Sequence, residues 1–157
     1  GLRSRRRSGP FTAVPVGRFD MNVRATARRT AIAAAVATVL VLGAPYAILA
    51  GSGGADQLAA YYASGTVGGA GIVLFALLSA VVVGSIEQGN LDPGTLAGVA
   101  VMLGVATTAS AAFWALAIEP SPLFRENLWL AWHARAALAV SVPVPVAAAV
   151  HARAVLS

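Results

Sequence analysis

Cysteine and lysine are both absent from this 157-residue chain, and aspartate and glutamate together number six. Without cysteine there is no disulfide, no thiolate nucleophile and no cysteine-ligated metal, and the redox compartment leaves no trace. Without lysine there is no Schiff-base chemistry and no phosphate-binding P-loop lysine. Charged residues make up 11% of the chain, against about 25% in a soluble domain. The sequence also has no HExxH, no GxSxG and no pair of carboxylates within one apolar stretch, so no nucleophile, base and orienting group are placed together. The two histidines, His133 and His151, are eighteen positions apart on the same stretch, or ~27 Å along a helix. They cannot clasp one haem within the chain; a bis-histidine haem would need its second ligand from a partner subunit. The expectation is a protein that is not an enzyme, with no catalytic residue, no cofactor and no metal.

What the chain does have is four long apolar stretches, about 31–50, 67–85, 96–118 and 128–150. Each approaches or exceeds the ~20 residues that cross a hydrocarbon core as a helix. The predicted fold is all-α, a bundle of four transmembrane helices occupying residues 23–157, with the lipid bilayer as its first partner. Residues 1–22 contain Gly, Pro and five arginines (Arg3, Arg5, Arg6, Arg7, Arg18) without helical periodicity. They read as an irregular tail. Either the tail adheres to anionic lipid, or it precedes a true start at Met21; nothing folded presents it to nucleic acid.

Arg24, Arg28 and Arg29 precede the first stretch and Arg153 follows the last. Arginine near span ends marks the cytoplasmic side, so both termini are expected there, in the cell membrane. Arg28-Arg29 before an apolar run also resembles a signal-peptide start. The run is too long for one, and Ile48-Leu49-Ala50 lacks the small residue wanted for cleavage. All six Trp and Tyr residues (Tyr46, Tyr61, Tyr62, Trp114, Trp129, Trp132) fall at the opposite, outer ends. They read as an interfacial belt, with an aromatic-lined outward pocket as the alternative.

Short motifs punctuate the spans. Asp92 is placed to cap the third span with Pro93 in its first turn. Leu58, Tyr61 and Tyr62 share one face of a short helix beginning near Asp56. Pro143 and Pro145 remove the donors for the carbonyls of Ala139 and Ser141, which bends the fourth span or opens a small cavity. Gly65–Gly69 and Gly94–Gly98 have GxxxG spacing, suited to close helix packing within the bundle or to docking another subunit. Asp56-Gln57-Leu58 with Tyr62 also aligns at an offset of seventy with Glu126-Asn127-Leu128 and Trp132, a weak mark of duplicated hairpins.

The candidate polar site comprises Arg135, Glu119, Glu126 and His133. Arg135 lies about six residues inside the fourth span. It either snorkels outward past Trp132 or is buried against Glu119 or Glu126 as an anion or proton site. The arginine-led start at Met21, the Tyr61-Tyr62 pair, the Trp-rich Leu128–Arg135 segment and the lysine-free, Ala/Val/Gly-rich composition resemble small four-helix membrane proteins of halophilic archaea whose function is unknown. The resemblance implies a membrane location and carries no site residues. The leading functional expectation is an accessory or assembly subunit of a larger membrane complex, or a homo-oligomer; the alternative is a transporter or channel component built around Arg135.

Overall fold

Between Arg29 and Tyr46 an unbroken apolar run gives the first helix its core, and the helix extends beyond it at both ends. In the computed structural model, which describes residues 16–49, 51 and 54–157, α1 spans Val16–Leu49. Residues 16–22, expected to be irregular, are therefore helical; once nucleated in the apolar run, a helix lengthens at little further cost. The expectation for residues 1–15 lies outside the described residues. A short helix α2 (Ala55–Tyr62) follows, then α3 (Gly68–Ser85) with a 3₁₀ turn at Ile86–Gln88, α4 (Pro93–Ala117), α5 (Pro122–Glu126), α6 (Leu130–Ser141) and α7 (Pro143–Leu156). No strand occurs among the described residues.

Four helical segments are long and apolar enough to cross a membrane: Gly17–Leu49, Gly68–Gln88, Pro93–Ala117 and Leu130–Leu156, the last being α6 and α7 together. They form a ring in which α1 packs on α3, α3 on α4, α4 on α6 and α7, and these back on α1. The ring is antiparallel, so the start of α1 and the end of α7 lie at one end of the bundle. The loops carrying α2 and α5 lie at the other.

Side chains are distributed as lipid requires. The interior holds Ala31, Ala35, Ala76, Ala97, Ala100 and Ala148, together with Thr38, Ser79, Thr107, Ser110 and Ser141. The outside holds Leu40, Leu74, Leu77, Val81, Met102, Phe113 and Leu116. In water this arrangement would expose a large apolar surface. In hydrocarbon, where no hydrophobic force acts between helices, small residues inside let backbones approach and large ones outside meet acyl chains.

Two local devices set the frame. The Asp92 carboxylate accepts from the Thr95 N–H and the Thr95 hydroxyl, each at 2.8 Å, with Pro93 in the first turn. These bonds to Thr95 hold the Asp92 carboxyl below its ordinary pKa. The cap therefore contributes stability above the unfolded-state value and loses it as pH falls through the lowered one. The second device is a close crossing of α4 and α7. A Cβ built on Gly104 would lie 2.8 Å from Pro145 Cα and 3.0 Å from Pro145 N, so the backbones touch where only glycine fits. Beside it the Thr108 hydroxyl donates to the Ser141 carbonyl at 3.1 Å, the acceptor that Pro145 leaves without its helical donor.

Gly104→Val should therefore lower the thermal unfolding midpoint in detergent, at a cost of about 1–3 kcal/mol. Gly98→Ala, where an added Cβ meets nothing within 4 Å, should be neutral or slightly stabilising. Tryptophan emission followed on heating compares the two; equal losses would remove the crossing from the account.

Candidate functional site

Pro45 lies inside α1 and is fully buried. Its ring removes the N–H that would serve the Val41 carbonyl and crowds that carbonyl out of line. In hydrocarbon no water takes the vacant place. The partner comes from α6: His133 Nε2 lies 2.6 Å from the Val41 oxygen. A carbonyl only accepts, so Nε2 carries the proton, and Nδ1 is left as an acceptor. Tyr61 meets it, its hydroxyl donating to Nδ1 at 2.7 Å. One residue on, the Tyr62 hydroxyl donates to the Leu42 carbonyl, and the Tyr46 N–H is turned toward the same hydroxyl. Both phenols of α2 thus serve the proline break in α1, one directly and one through histidine.

The remaining aromatic residues close around this network. Trp114 of α4 is buried and its indole N–H donates at 3.1 Å to the Tyr61 carbonyl, which otherwise has only a long 3.4 Å bond from the Ser64 N–H at the C-terminus of α2. Its ring stacks parallel to Tyr62, with centroids 6.2 Å apart, and meets Tyr61 edge-on at 5.2 Å. Phe124 of α5 and Trp129 add edge contacts to Tyr61 and His133. Burial, with Tyr62 adjacent, pushes the Tyr61 phenol well above its ordinary pKa, and burial raises Tyr62 as well. Both stay protonated donors throughout the physiological range.

The opposite end has a different character. His151 of α7 is fully buried, and neither ring nitrogen has a hydrogen-bond partner. Its Nε2 stands 3.6 Å from Glu87 Oε1, the one ion-pair contact among the described residues. Arg28 donates to the Gly84 carbonyl at 3.0 Å. The Nε atoms of Arg24 and Arg28 are buried and unpartnered. A cavity of about 560 Å³ opens beside them, lined by Met21, Arg24, Ala25, Ile86, Glu87 and Pro93 among others. Among the described residues no group of three His, Asp or Glu is placed to hold a metal.

The sequence-derived site residues are dispersed. His133 faces the core, whereas Arg135, two positions and about 200° further round the helix, is exposed. Its guanidinium sits 5.0 Å from the centroid of the Trp132 ring, one turn back. Arg135 lines an outward cavity of about 430 Å³ with Pro120 and Phe124. Glu119 lines a different cavity, of about 310 Å³, with Gln57, Ser64 and Ser121. Glu126 is exposed, and neither acid pairs with Arg135. Gly65 and Gly69 pack inside the chain, with built Cβ atoms 3.3 Å from Ala117 Cβ and 2.7 Å from the Tyr62 ring. Gly94 lies against Leu156, and Gly98 faces open space. The outer aromatic residues divide: Tyr46, Trp129 and Trp132 face outward as a belt requires, whereas Tyr61 and Trp114 are buried. Leu58 is buried and Leu128 exposed, so the aligned halves use matched positions differently.

A family profile matches residues 21–156, which takes in all four long apolar segments. The chain belongs to DUF7548, a family of unknown function. No curated protein and no solved structure matches it. In this DUF7548 chain the residue the sequence reading passed over is Pro45. Its position in the first apolar run is visible in the sequence and already implies an orphan carbonyl at Val41. That the donor is His133, ninety-two positions away, is not visible there.

The network makes a quantitative expectation. His133→Phe should destabilise the bundle by about 2–3 kcal/mol, because the Val41 carbonyl and the Tyr61 hydroxyl both lose a partner. In a Pro45→Ala background the restored N–H serves Val41, so the same substitution should cost about 1 kcal/mol less. A double-mutant cycle on thermal unfolding reads the difference. Additivity would mean that His133 does not act on the proline break.

Proposed function

We propose that this protein is a multi-pass cell-membrane protein with both termini in the cytoplasm, acting as a non-enzymatic accessory or assembly subunit of a larger membrane complex. The observation that carries the reading is the pairing of a self-satisfied α2–α5 end with unused glycines on the lipid side. The ionisable side chains buried at the α2–α5 end serve backbone carbonyls or one another. Gly43 and Gly98 sit on the outward faces of α1 and α4, with room for a Cβ and nothing within 4 Å. A glycine inside a helix costs about 1 kcal/mol relative to alanine. That cost is offset when another helix approaches the bare backbone closely. The layout also resembles that of small four-helix membrane proteins of halophilic archaea, which is in keeping with this reading.

The orientation rests on charge. Arg18, Arg24, Arg28, Arg29 and Arg153 gather at the end holding both described termini, against Arg125 and Arg135 at the other. Arginine is retained on the cytoplasmic side of short loops.

A second reading, a transport component, has one observation in its favour, the outward cavity beside Arg135. The two readings part on purification. Isolated in mild detergent, an accessory subunit brings a stoichiometric second protein, and Gly98→Leu releases it while the chain stays folded. A homo-oligomer that loses flux in Arg135→Ala would support transport instead.

Because the chain has no cysteine, single substitutions map its topology cleanly. Ser64→Cys should react with an impermeant maleimide in intact cells, and Ser157→Cys should react only after lysis. The reverse pattern would invert the orientation.

A further inference from the structure

The two histidines of the last span make a natural comparison. His133 has both ring nitrogens engaged, 2.6 and 2.7 Å from oxygen partners. His151, equally enclosed, has neither engaged. Buried polar atoms without partners are rare, and each calls for an explanation such as a ligand. At the His151 end they cluster. Arg24 Nε, Arg28 Nε and the His151 ring are all buried and unpartnered, drawn from α1 and α7. Arg24 and Glu87 line the adjoining cavity of about 560 Å³.

The inventory of free groups is dominated by donors. Each arginine Nε is an N–H with no acceptor, and a neutral imidazole offers one N–H more. The matching acceptor is the carboxylate of Glu87, which stands 3.6 Å from His151, beyond hydrogen-bond length. Two guanidinium groups against one carboxylate leave a net positive charge, larger when the ring is protonated. Glu87, Arg24 and Arg28 are the charged groups that act on the His151 ring. Guanidinium matches phosphate oxygens in geometry and charge, so paired arginines at a membrane boundary suit a phosphate group.

We infer that the cavity beneath the α3–α4 turn binds a phosphate-class anion through Arg24, which lines it, with Arg28 one turn further along α1 adding positive charge and Glu87, beside His151, at its edge. The phosphate has two sources, the headgroup of an anionic phospholipid entering from the bilayer or a free phosphate in the aqueous phase. Glu87 opposes the anion by charge, so neutralising it strengthens the positive field in the cavity. This assignment goes beyond the subunit reading and stands whether or not a partner protein is found.

The test uses the purified full-length chain, in neutral detergent and in phosphatidylcholine nanodiscs, titrated with inorganic phosphate and separately with phosphatidylglycerol. Native mass spectrometry reads retained ligand, and the thermal midpoint reads saturation. Saturable binding should weaken about tenfold in Arg24→Gln, the loss of one charge-assisted bond. It should tighten severalfold in Glu87→Gln and stay unchanged in Arg29→Gln, whose side chain is exposed at the same end. A response to phosphatidylglycerol alone supports a lipid headgroup, and a response to inorganic phosphate supports a free ligand. The inference is overturned if neither probe saturates, or if Arg29→Gln weakens binding as much as Arg24→Gln. Should Arg24→Gln fail to fold, Glu87→Gln decides, and no tightening there overturns the inference.

Discussion

The whole architecture turns on the rule that a backbone carbonyl released inside hydrocarbon must find a donor in the protein. An unpaired buried polar group costs about 1–3 kcal/mol, which an alanine-rich bundle with few strong contacts cannot absorb repeatedly. Pro45 and Pro145 each release a carbonyl, and the end of α2 releases more. The donors come from other helices: His133 on α6 and Tyr62 on α2 for the break in α1, Thr108 on α4 for the break in α7, and Trp114 on α4 for the end of α2. These bonds tie α1 to α6, α2 to α1, α4 to the end of α6 and α4 to α2. The breaks at Pro45 and Pro145 therefore act as fasteners: each makes a demand that a specific neighbour meets, and those bonds help set which helices lie side by side.

The same rule separates the two ends. Around His133 the accounts balance, and aromatic rings exclude anything further. Around His151 they do not balance. Two arginine Nε atoms and an imidazole are enclosed without partners while a carboxylate stands just too far away. Identical residue types on one continuous span thus take opposite roles, a structural bridge at one end and free binding capacity at the other. The difference comes from what faces each ring. A proline-freed carbonyl and a phenol face His133, whereas mobile-length charged side chains face His151.

Arg135 illustrates how a membrane helix disposes of a charge. Its position beside the buried face drew attention to an ion pair with Glu119 or Glu126, yet helix geometry turns it outward, two positions from His133. Trp132, one turn away on the same face, offers its ring to the guanidinium. Glu119 opens into another cavity and Glu126 is exposed. Proximity in sequence placed these groups at one membrane level; the angular position of each on its helix kept them apart.

Much of the frame was legible in residues 16–157. The four apolar runs predicted four long helices, Asp92-Pro93 predicted the cap on α4, and Pro145 predicted an acceptor at Ser141 in need of a donor. These follow from short-range physics: hydrophobic length, capping and the missing proline N–H are properties of a few neighbouring residues. The helical state of residues 16–22 was not legible, because a helix anchored by its span overrides weak local preference. Nor was the burial of Tyr61 and Trp114, since an aromatic residue at a span end satisfies an interfacial belt and an inner cluster equally well. Sequence alone determined the number of spans, their order and the places where hydrogen bonds would be missing. Only the tertiary structure decided which side chains fill those places and which remain free at His151. That choice depends on distances between helices, across 20 to 92 residues of chain, and no local pattern encodes them.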